Sequence, residues 1–286
     1  MNANSITKAA VLGSGTMGHG IAQTLGQWSI ETRLYDIDAG SLERGLDKIR
    51  ENLEKGVQRG KVPNDIREKT LSLVSGTTDL SQATDGVQLV IEAVPEKIEL
   101  KCSLFEQLGS MLGPDVLLAT NTSSLSISQI AAAARHPERV VGMHFFNPVH
   151  ILKLVEVVVA EQSSDEAVDC AMELSRRLAK DPIRVKDHPG FASSRLGIAI
   201  GMEAIRMLES EVAIAEDIDK AMTLGYGFPM GPLKLTDLVG LDVRLSIAEY
   251  LATELGDRFA PPQLLRDMVE RGELGRKSGK GFYTWE

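Results

Sequence analysis

A glycine-rich turn near the N-terminus constrains the fold more than any other feature. Residues 13–18 read G-S-G-T-M-G, between the apolar run Lys8–Leu12 and a helical pattern. Glycine allows a tight turn at Gly13, close approach of a ligand to the backbone at Gly15, and close packing of helix on strand at Gly18. A turn of this kind opens a βαβ unit, so the sequence predicts a parallel sheet covered by helices.

Short apolar runs continue to alternate with helical patterns through the first half of the chain. Strand-like segments lie at Thr32–Tyr35, Val87–Ile91, Val116–Ala119, Val140–Met143 and Leu154–Val159. Segments with helical spacing of apolar residues lie at Ser41–Gly60, Lys97–Met111 and Ile127–Ala134. This alternation predicts an α/β fold, with a Rossmann-type domain over residues 1–185 built on a mostly parallel sheet.

The pattern changes after Val185, where K-D-H-P-G at 186–190 carries the punctuation of a domain boundary. Only helix-length amphipathic segments follow, at Phe191–Leu208, Ala215–Leu224, Gly231–Leu255 and Pro261–Glu270. We therefore expect an all-α C-terminal domain over residues 186–286. Its many apolar helix faces favour a homodimer formed through this domain.

A carboxylate after the second predicted strand indicates the cofactor. Asp36 follows the strand that ends at Tyr35 and lies 18 positions past Gly18. A carboxylate at this place accepts hydrogen bonds from the adenosine ribose hydroxyls and repels a 2′-phosphate. The turn and Asp36 therefore predict a site for NAD rather than NADP, with the pyrophosphate at the N-terminus of the first helix.

Composition narrows the class of protein further. The formal net charge is −9, so the chain lacks the broad basic surface that nucleic-acid binding needs. No apolar run approaches the roughly 18 residues of a membrane helix, and M-N-A-N-S-I-T-K leaves no room for a signal-peptide apolar region. Cys102 and Cys170 form no disulfide or zinc pattern, and we expect both to be small buried side chains. The sequence predicts a cytoplasmic protein without nucleic-acid or membrane partners.

Several longer motifs carry a specific likeness to a known family. They are V-L-G-S-G-T-M-G-H-G-I-A at 11–22, E-A-V-P-E at 92–96, A-T-N-T-S-S-L-S-I at 119–127, G-M-H-F-F-N-P-V-H-I-L-K-L-V-E-V-V at 142–158, D-H-P-G-F at 187–191, F-P-M-G-P-L-K-L-T-D-L-V-G-L-D at 228–242 and L-G-R-K-S-G-K-G-F-Y-T-W at 274–285. Across essentially its whole length the chain resembles the L-3-hydroxyacyl-CoA dehydrogenase family, and most of all its shorter 3-hydroxybutyryl-CoA dehydrogenase branch.

The resemblance implies that His144 is a general base and Glu156 its partner. Oxidation of a secondary alcohol needs a base for the hydroxyl proton, and an imidazole suits this near neutral pH. Glu156 lies within the apolar strand-like run at 153–158, where a charge usually has a partner. Two other interpretations remain: Glu156 could point outward on an edge strand, or His144 and His150 could bind a metal with it. The lack of a histidine pair at i, i+4 disfavours a metal, and we expect none.

Other residues receive roles through the same likeness. Ser123 follows a predicted parallel strand, where open α/β sheets bind ligands, and the family places its hydroxyl on the substrate oxygen. Ser124 or Ser126 beside it could instead serve only as a helix cap. The implied cofactor contacts are Gly13, Ser14, Gly15, Thr16, Met17, Gly18, Asp36, Glu96, Lys101, Ser123, Asn147 and Lys277. The implied coenzyme A contacts are Ser123, Asn52 and Arg59, although the charged helix that contains the last two could equally be a solvated face.

One position departs from the family pattern. Many members have asparagine in an N-R-L sequence after D-H-P-G-F, where it joins the catalytic set, whereas this chain has Ser194. Serine reaches less far and lacks the second donor of the amide. We expect activity to survive, with Ser194 as a weaker contact or one that acts through water.

The expected activity is NAD-dependent interconversion of (S)-3-hydroxyacyl-CoA and 3-ketoacyl-CoA, with short chains such as 3-hydroxybutyryl and acetoacetyl preferred. One alternative is a related sugar-acid dehydrogenase, which would have no use for a coenzyme A site. Another is a non-catalytic, cofactor-binding protein similar to the family's lens crystallin relatives. The presence of His144, Glu156 and Ser123 argues against this last alternative.

Overall fold

The structure is a computed structural model that describes residues 2–285. The chain divides into two compact units, with the boundary in the sequence between His188 and Pro189. No helix among the described residues is long and apolar enough to cross a membrane.

The first unit alternates strands and helices. Its strands are β1 (Lys8–Leu12), β2 (Glu31–Tyr35), β3 (Val74–Thr77), β4 (Leu89–Glu92), β5 (Leu117–Thr120), β6 (Val140–Phe145), β7 (Leu154–Val159) and β8 (Asp181–Lys186). Its helices are α1 (Gly18–Gln27), α2 (Ala39–Gln58), α3 (Asn64–Leu73), α4 (Leu80–Thr84), α5 (Ile98–Met111), α6 (Ile127–Ala133) and α7 (Asp165–Arg177).

The strands form one eight-stranded sheet in the order β3-β2-β1-β4-β5-β6-β7-β8. Every neighbouring pair is parallel except β6 and β7, which are antiparallel. All residues of β4 and β5 are buried, which explains why each strand begins with three consecutive apolar residues. The predicted Rossmann-type, mostly parallel sheet is confirmed.

Two edge strands and three helices have no counterpart in the sequence prediction. β3 contains a glycine and β8 contains a proline and charged residues, so neither shows the apolar run used to recognise a strand. Both strands lie at an edge of the sheet, where proline and charge are tolerated. The helices α3, α4 and α7 connect these additional strands to the predicted ones.

The second unit contains α8 (Ser193–Glu209), α9 (Ala215–Lys220), α10 (Pro232–Val239), α11 (Leu241–Leu255) and α12 (Gln263–Glu270). Apolar side chains from all five helices form its core. The all-helical prediction is confirmed, but the prediction of one helix over Gly231–Leu255 is wrong. Gly240 has φ +105°, which ends α10 and starts α11 in a new direction. The segment predicted over Ala215–Leu224 continues past α9 only as a π-helical turn, Ala221–Gly225.

Both cysteines are free thiols, as the sequence predicts, although only Cys170 is fully buried and Cys102 is partly accessible. Burial raises the pKa of each thiol. Both side chains are therefore protonated at neutral pH and carry none of the thiolate character of a reactive cysteine.

Candidate active site

The centre of the first unit's site is a buried histidine–glutamate pair. His144 and Glu156 face each other directly in the antiparallel register of β6 and β7. Nδ1 of His144 lies 2.7 Å from Oε2 of Glu156, and the relative exposures of the two residues are 6% and 0%. The outward-pointing orientation of Glu156 is thereby excluded. With Nδ1 donating to the carboxylate, Nε2 is the nitrogen that can exchange a proton.

A side chain that follows β5 holds the backbone next to this pair by a hydrogen bond. The amide of Phe145 donates to Oδ1 of Asn121, which follows β5, over 2.8 Å. The ring of Phe146 lies 4.5 Å from the ring of His144, centroid to centroid. These contacts fix the end of β6 and with it the position of the imidazole.

Ser123 lies in the turn after β5 and is half-buried. Its backbone amide donates to Oε1 of Glu96 over 2.9 Å, and the hydroxyl of Thr122 donates to the same oxygen. Glu96 therefore orients the turn that carries Ser123. In the same turn, Ser126 accepts from the amide of Gln129 and so caps α6, which is the capping role that the sequence left open for it.

A fully buried ion pair between Lys101 and Glu92 lies next to Glu96. Nζ of Lys101 is 2.6 Å from Oε1 of Glu92 and 3.3 Å from Oε2 of Glu96. Glu92 also accepts from the hydroxyl of Thr120 over 2.6 Å and from the amide of Val94 over 2.7 Å. Burial raises the pKa of Glu92, and the Lys101 charge and these hydrogen bonds oppose that shift.

Sequence reasoning assigned Glu96 and Lys101 but missed Glu92. Its signal was an acid at the end of an otherwise apolar strand, comparable to Glu156 within the apolar strand β7. A carboxylate in that place has to find partners. Here one partner is Lys101, so a charged chain runs from Glu92 through Lys101 to Glu96 and ends at the backbone of Ser123.

The glycine turn has the shape that a dinucleotide requires. A Cβ built on Gly13 (φ +98°) would lie 2.5 Å from the carbonyl oxygen of Ala93, and one on Gly18 would lie 1.7 Å from that of Gly13. At Gly15 a Cβ would meet no atom within 4 Å. The first and last glycines are therefore required by the fold, whereas Gly15 leaves its backbone open to a ligand. The residues present fit a bound NAD.

Asp36 is held against this turn by Ser14. The backbone amide and the hydroxyl of Ser14 donate to Oδ2 of Asp36 over 2.9 Å and 2.7 Å. Oδ1 accepts from the amide of Asp38 over 3.1 Å. A carboxylate can accept about four hydrogen bonds, so capacity remains for a ribose hydroxyl.

The other predicted site residues lie at several places. Thr16 and Asn147 are exposed, and Met17 is half-buried beside the glycine turn. On α2, Asn52 is half-buried, and Arg59 is exposed at the C-terminal cap. Lys277 and Ser194 belong to the second unit, where both oxygens of Asp242 contact Nζ of Lys277 at 2.5 and 2.6 Å, and Ser194 lies in the first turn of α8.

A metal has no evident place among residues 2–285, which contain no cluster of three or more histidine, cysteine, aspartate or glutamate side chains with suitable spacing. His150 lies in the turn after β6, and its pKa is lowered by burial and by the charges of Lys180 and His19.

Comparison with known proteins agrees with this geometry. Residues 8–188 match the family profile "3-hydroxyacyl-CoA dehydrogenase, NAD binding domain", and residues 190–285 match "3-hydroxyacyl-CoA dehydrogenase, C-terminal domain". A 3-hydroxybutyryl-CoA dehydrogenase from Mycobacterium tuberculosis is 42% identical over 99% of both chains. A 3-hydroxyadipyl-CoA dehydrogenase from Escherichia coli is 44% identical over 98% of this chain, which spans only 59% of that relative's length.

Similarity extends to solved structures. The crystal structure of (S)-3-hydroxybutyryl-CoA dehydrogenase PaaH1 from Ralstonia eutropha superposes with a TM-score of 0.93 at 36% identity, covering 99% of this chain and 100% of that one. The matched profiles span both units, and the curated relative matches from end to end. The chain therefore belongs to the 3-hydroxyacyl-CoA dehydrogenase family and is an NAD-dependent oxidoreductase.

Proposed function

We propose that this enzyme interconverts (S)-3-hydroxyacyl-CoA and 3-ketoacyl-CoA, with His144 as the general acid and base. The observation that carries this proposal is the buried contact of 2.7 Å between His144 and Glu156. In the oxidation direction, Nε2 of His144 accepts the proton of the substrate hydroxyl. Glu156 holds Nδ1 and stabilises the imidazolium that forms, which also fixes the tautomer of the neutral ring.

The remaining residues bind and orient the reactants. When bound, NAD supplies the acceptor for the hydride from the substrate's C3. The turn at 13–18 would receive the pyrophosphate, and Asp36 would accept from the adenosine ribose. Ser123 would donate to the substrate oxygen, while Glu96, Lys101, Asn147 and Lys277 would contribute further cofactor contacts. Ser194 would supply one hydrogen bond to the substrate.

The substrate is proposed to be a coenzyme A thioester of a short acyl chain, 3-hydroxybutyryl-CoA above all. Relatives of full-length similarity are named for this substrate, and the α2 region offers Asn52 and Arg59 to coenzyme A. The relative from Escherichia coli is named for 3-hydroxyadipyl-CoA, whose acyl chain ends in a carboxylate. Both substrates share the reacting carbons, so the two names differ only in what binds the far end of the chain. These matches favour an acyl-CoA over a sugar acid.

We further propose a cytoplasmic homodimer, with residues 1–185 binding NAD and residues 186–286 providing the dimer interface and part of the substrate cleft. The second unit carries exposed apolar side chains, including Val212, Ile214, Leu224 and Tyr226. It also contains an apolar groove of about 400 Å³ lined by α8 and α9 residues such as Ala204, Met207 and Ile218. Apolar surface of this kind is typical of subunit interfaces.

The deciding experiment is NADH oxidation with acetoacetyl-CoA and its longer homologues, repeated with NADPH. We expect turnover with acetoacetyl-CoA and NADH, and a loss in His144→Gln. A protein that binds NADH but turns over no 3-ketoacyl-CoA would contradict the proposal and favour a non-catalytic role. Turnover of free hydroxy acids instead of thioesters would favour the sugar-acid alternative.

A further inference from the structure

The second unit contains a buried cation without a counter-charge. Arg244 lies on α11, and only 7% of its surface is exposed. Its neighbours on the same face of the helix are the buried apolar residues Leu241, Ala248 and Leu251, so it occupies a core-facing position. Among residues 2–285 its side chain has no hydrogen bond and no ion pair, and its buried Nε is one of the few such atoms without a partner.

A guanidinium in this state is costly for the folded protein. Burial lowers the pKa of Arg244 to about 10, which still leaves the side chain charged at neutral pH. A buried charge without a partner destabilises a protein, and replacement by an apolar side chain of similar size often stabilises it. An arginine kept at such a position is therefore expected to serve a ligand, and that ligand has to be an anion.

The guanidinium lies close to the first turns of α8, at a position where the residue is glycine. A Cβ built on Gly197 would lie 3.0 Å from Nη1 of Arg244 and 3.7 Å from Nη2. Gly197 is three residues after Ser194 on this helix, so the two positions lie on the same face, about 4.5 Å apart along the axis. The cation is thus one helical turn from the residue proposed to contact the reacting part of the substrate.

We infer that Arg244 binds a carboxylate at the far end of the acyl chain, so that this enzyme accepts 3-hydroxyacyl-CoA thioesters of short dicarboxylic acids. The inference rests on the proposed function, because it uses the placement of the acyl group beside Ser194. A planar guanidinium matches a carboxylate with two parallel hydrogen bonds, and its weak hydration suits it to a buried ion pair. The apolar stripe of α11 around it would strengthen that pairing.

The test compares acetoacetyl-CoA with 3-oxoadipyl-CoA in the wild type and in Arg244→Met. Methionine keeps much of the volume and removes the charge. We expect kcat/KM for 3-oxoadipyl-CoA to fall roughly 10- to 100-fold, because hydrogen bonds between charged groups are strong. The value for acetoacetyl-CoA should change less than about threefold. Arg266→Met is the matched control, since Arg266 is a partly exposed arginine of the same unit that pairs with Glu249.

A binding measurement separates recognition from chemistry. Adipyl-CoA and butyryl-CoA lack the 3-oxo group and cannot be reduced at C3, so their Kd values can be measured by calorimetry. We expect Arg244→Met to weaken the binding of adipyl-CoA by the same factor as it lowers kcat/KM for 3-oxoadipyl-CoA. The Kd of butyryl-CoA should stay unchanged. The ligand-free variant should also melt at a higher temperature than the wild type, because a buried unpaired charge has been removed.

Three results would overturn the inference. One is wild-type turnover of acetoacetyl-CoA without turnover of 3-oxoadipyl-CoA. Another is an equal loss with both substrates, which would place Arg244 on the part they share. The third is a lower melting temperature or a change from dimer to monomer in Arg244→Met, which would assign it to folding or assembly. Failure of both substrates in the wild type would instead refute the proposed function.

Discussion

Glu156 faces His144 across an antiparallel strand pair, with 2.7 Å between the carboxylate oxygen Oε2 and Nδ1 of the ring. The contact follows from the reversal of the chain between β6 and β7, the only antiparallel pair in the sheet among residues 2–285. Residues twelve positions apart in sequence thereby become direct cross-strand neighbours. Because both side chains are buried, the carboxylate has no solvent to compete with the imidazole and orients it firmly.

His144→Gln should lower kcat by about 10²–10⁴, the usual contribution of a general acid or base. Glu156→Gln removes the charge but keeps much of the shape, so its loss should be smaller or comparable. The double variant should lose much less than the product of the two, since the pair acts as a unit. Steady-state kinetics with acetoacetyl-CoA would measure all three effects.

NADH affinity is the control for these variants. Fluorescence titration should give nearly the wild-type Kd for His144→Gln, because the proposed cofactor contacts are the glycine turn and Asp36 rather than His144. Near-normal turnover in His144→Gln, or fully multiplicative losses in the double variant, would mean that another group carries the proton.

Asp36→Ala should narrow the gap in kcat/KM between NADH and NADPH by roughly tenfold or more, because a like charge no longer opposes the 2′-phosphate. Asp38→Ala is a close control: its carboxylate accepts from the Ser41 amide at the start of α2 and lies two residues away in sequence. Kinetics with both cofactors would measure the ratio. A wild-type enzyme that uses NADPH better than NADH would show that the role assigned to Asp36 is wrong.

Much of the first unit could be predicted because its signals are local. In the turn at 13–18, Gly13 and Gly18 are required for steric reasons, and the buried strands β4 and β5 each begin with three apolar residues. Edge strands such as β8 carry charges and proline, so periodicity does not reveal them. The break at Gly240 was missed because one glycine inside an apolar pattern is also compatible with a continuous helix.

Residues that act through long-range contacts were harder to predict. Glu92 and Arg244 are charged residues at positions where the pattern predicts apolar ones. The sequence shows this anomaly, but it does not show which residue pairs with each charge. For Glu92 the partner is Lys101, from the following helix. For Arg244 no partner occurs within the described part of the chain, and this fact emerges only from the packing.

Glu92→Gln should destabilise the protein by about 3–5 kcal/mol, the usual cost of removing one partner from a buried ion pair. Of its two carboxylate partners, Lys101 would then keep only Glu96, which in the wild type accepts from the Ser123 amide. We expect a higher KM for NADH together with a lower kcat, and partial recovery of stability in Glu92→Gln/Lys101→Met. Urea unfolding and kinetics would measure both. Unchanged stability would show that the pair is dispensable.

Low pH should lower the folding stability of the protein through two histidines, His19 and His150. Burial lowers the pKa of His19, with a further effect from Lys48, against the opposing hydrogen bond to Gly15. Burial also lowers the pKa of His150. The unfolded chain therefore binds more protons than the folded one just below pH 6.5, the ordinary pKa of histidine, so stability rises with pH across that window.

In the variant His19→Gln/His150→Gln, the free energy of unfolding should change less with pH, as measured by urea unfolding between about pH 5 and 7.5. His136→Gln is the control, because His136 lies elsewhere in the unit and pairs with Glu138. An unchanged slope in the double variant would assign the acid sensitivity to other groups.

Asp237→Asn should release the C-terminal segment of the second unit. The carboxylate is 1% exposed and accepts from the amides of Phe282 and Tyr283 at 2.9 Å each and from Nε1 of Trp285 at 2.8 Å. An asparagine amide presents only one acceptor atom, so some of these donors would be left unpaired. Buried hydrogen bonds to a charged group contribute about 1.5–3 kcal/mol each, so we expect a loss of about 3 kcal/mol.

Trp285 itself reports the outcome, because the chain has only one other tryptophan, Trp28. In a Trp28→Phe background, Asp237→Asn should shift the emission of Trp285 to longer wavelength and speed hydrogen exchange at the amides of Phe282 and Tyr283. Asp267→Asn, which alters a partly exposed aspartate of α12 that accepts from Gln263, should do neither. Wild-type emission and exchange in Asp237→Asn would mean that the apolar contacts of Phe282 and Tyr283 with the helical core hold the segment without the carboxylate.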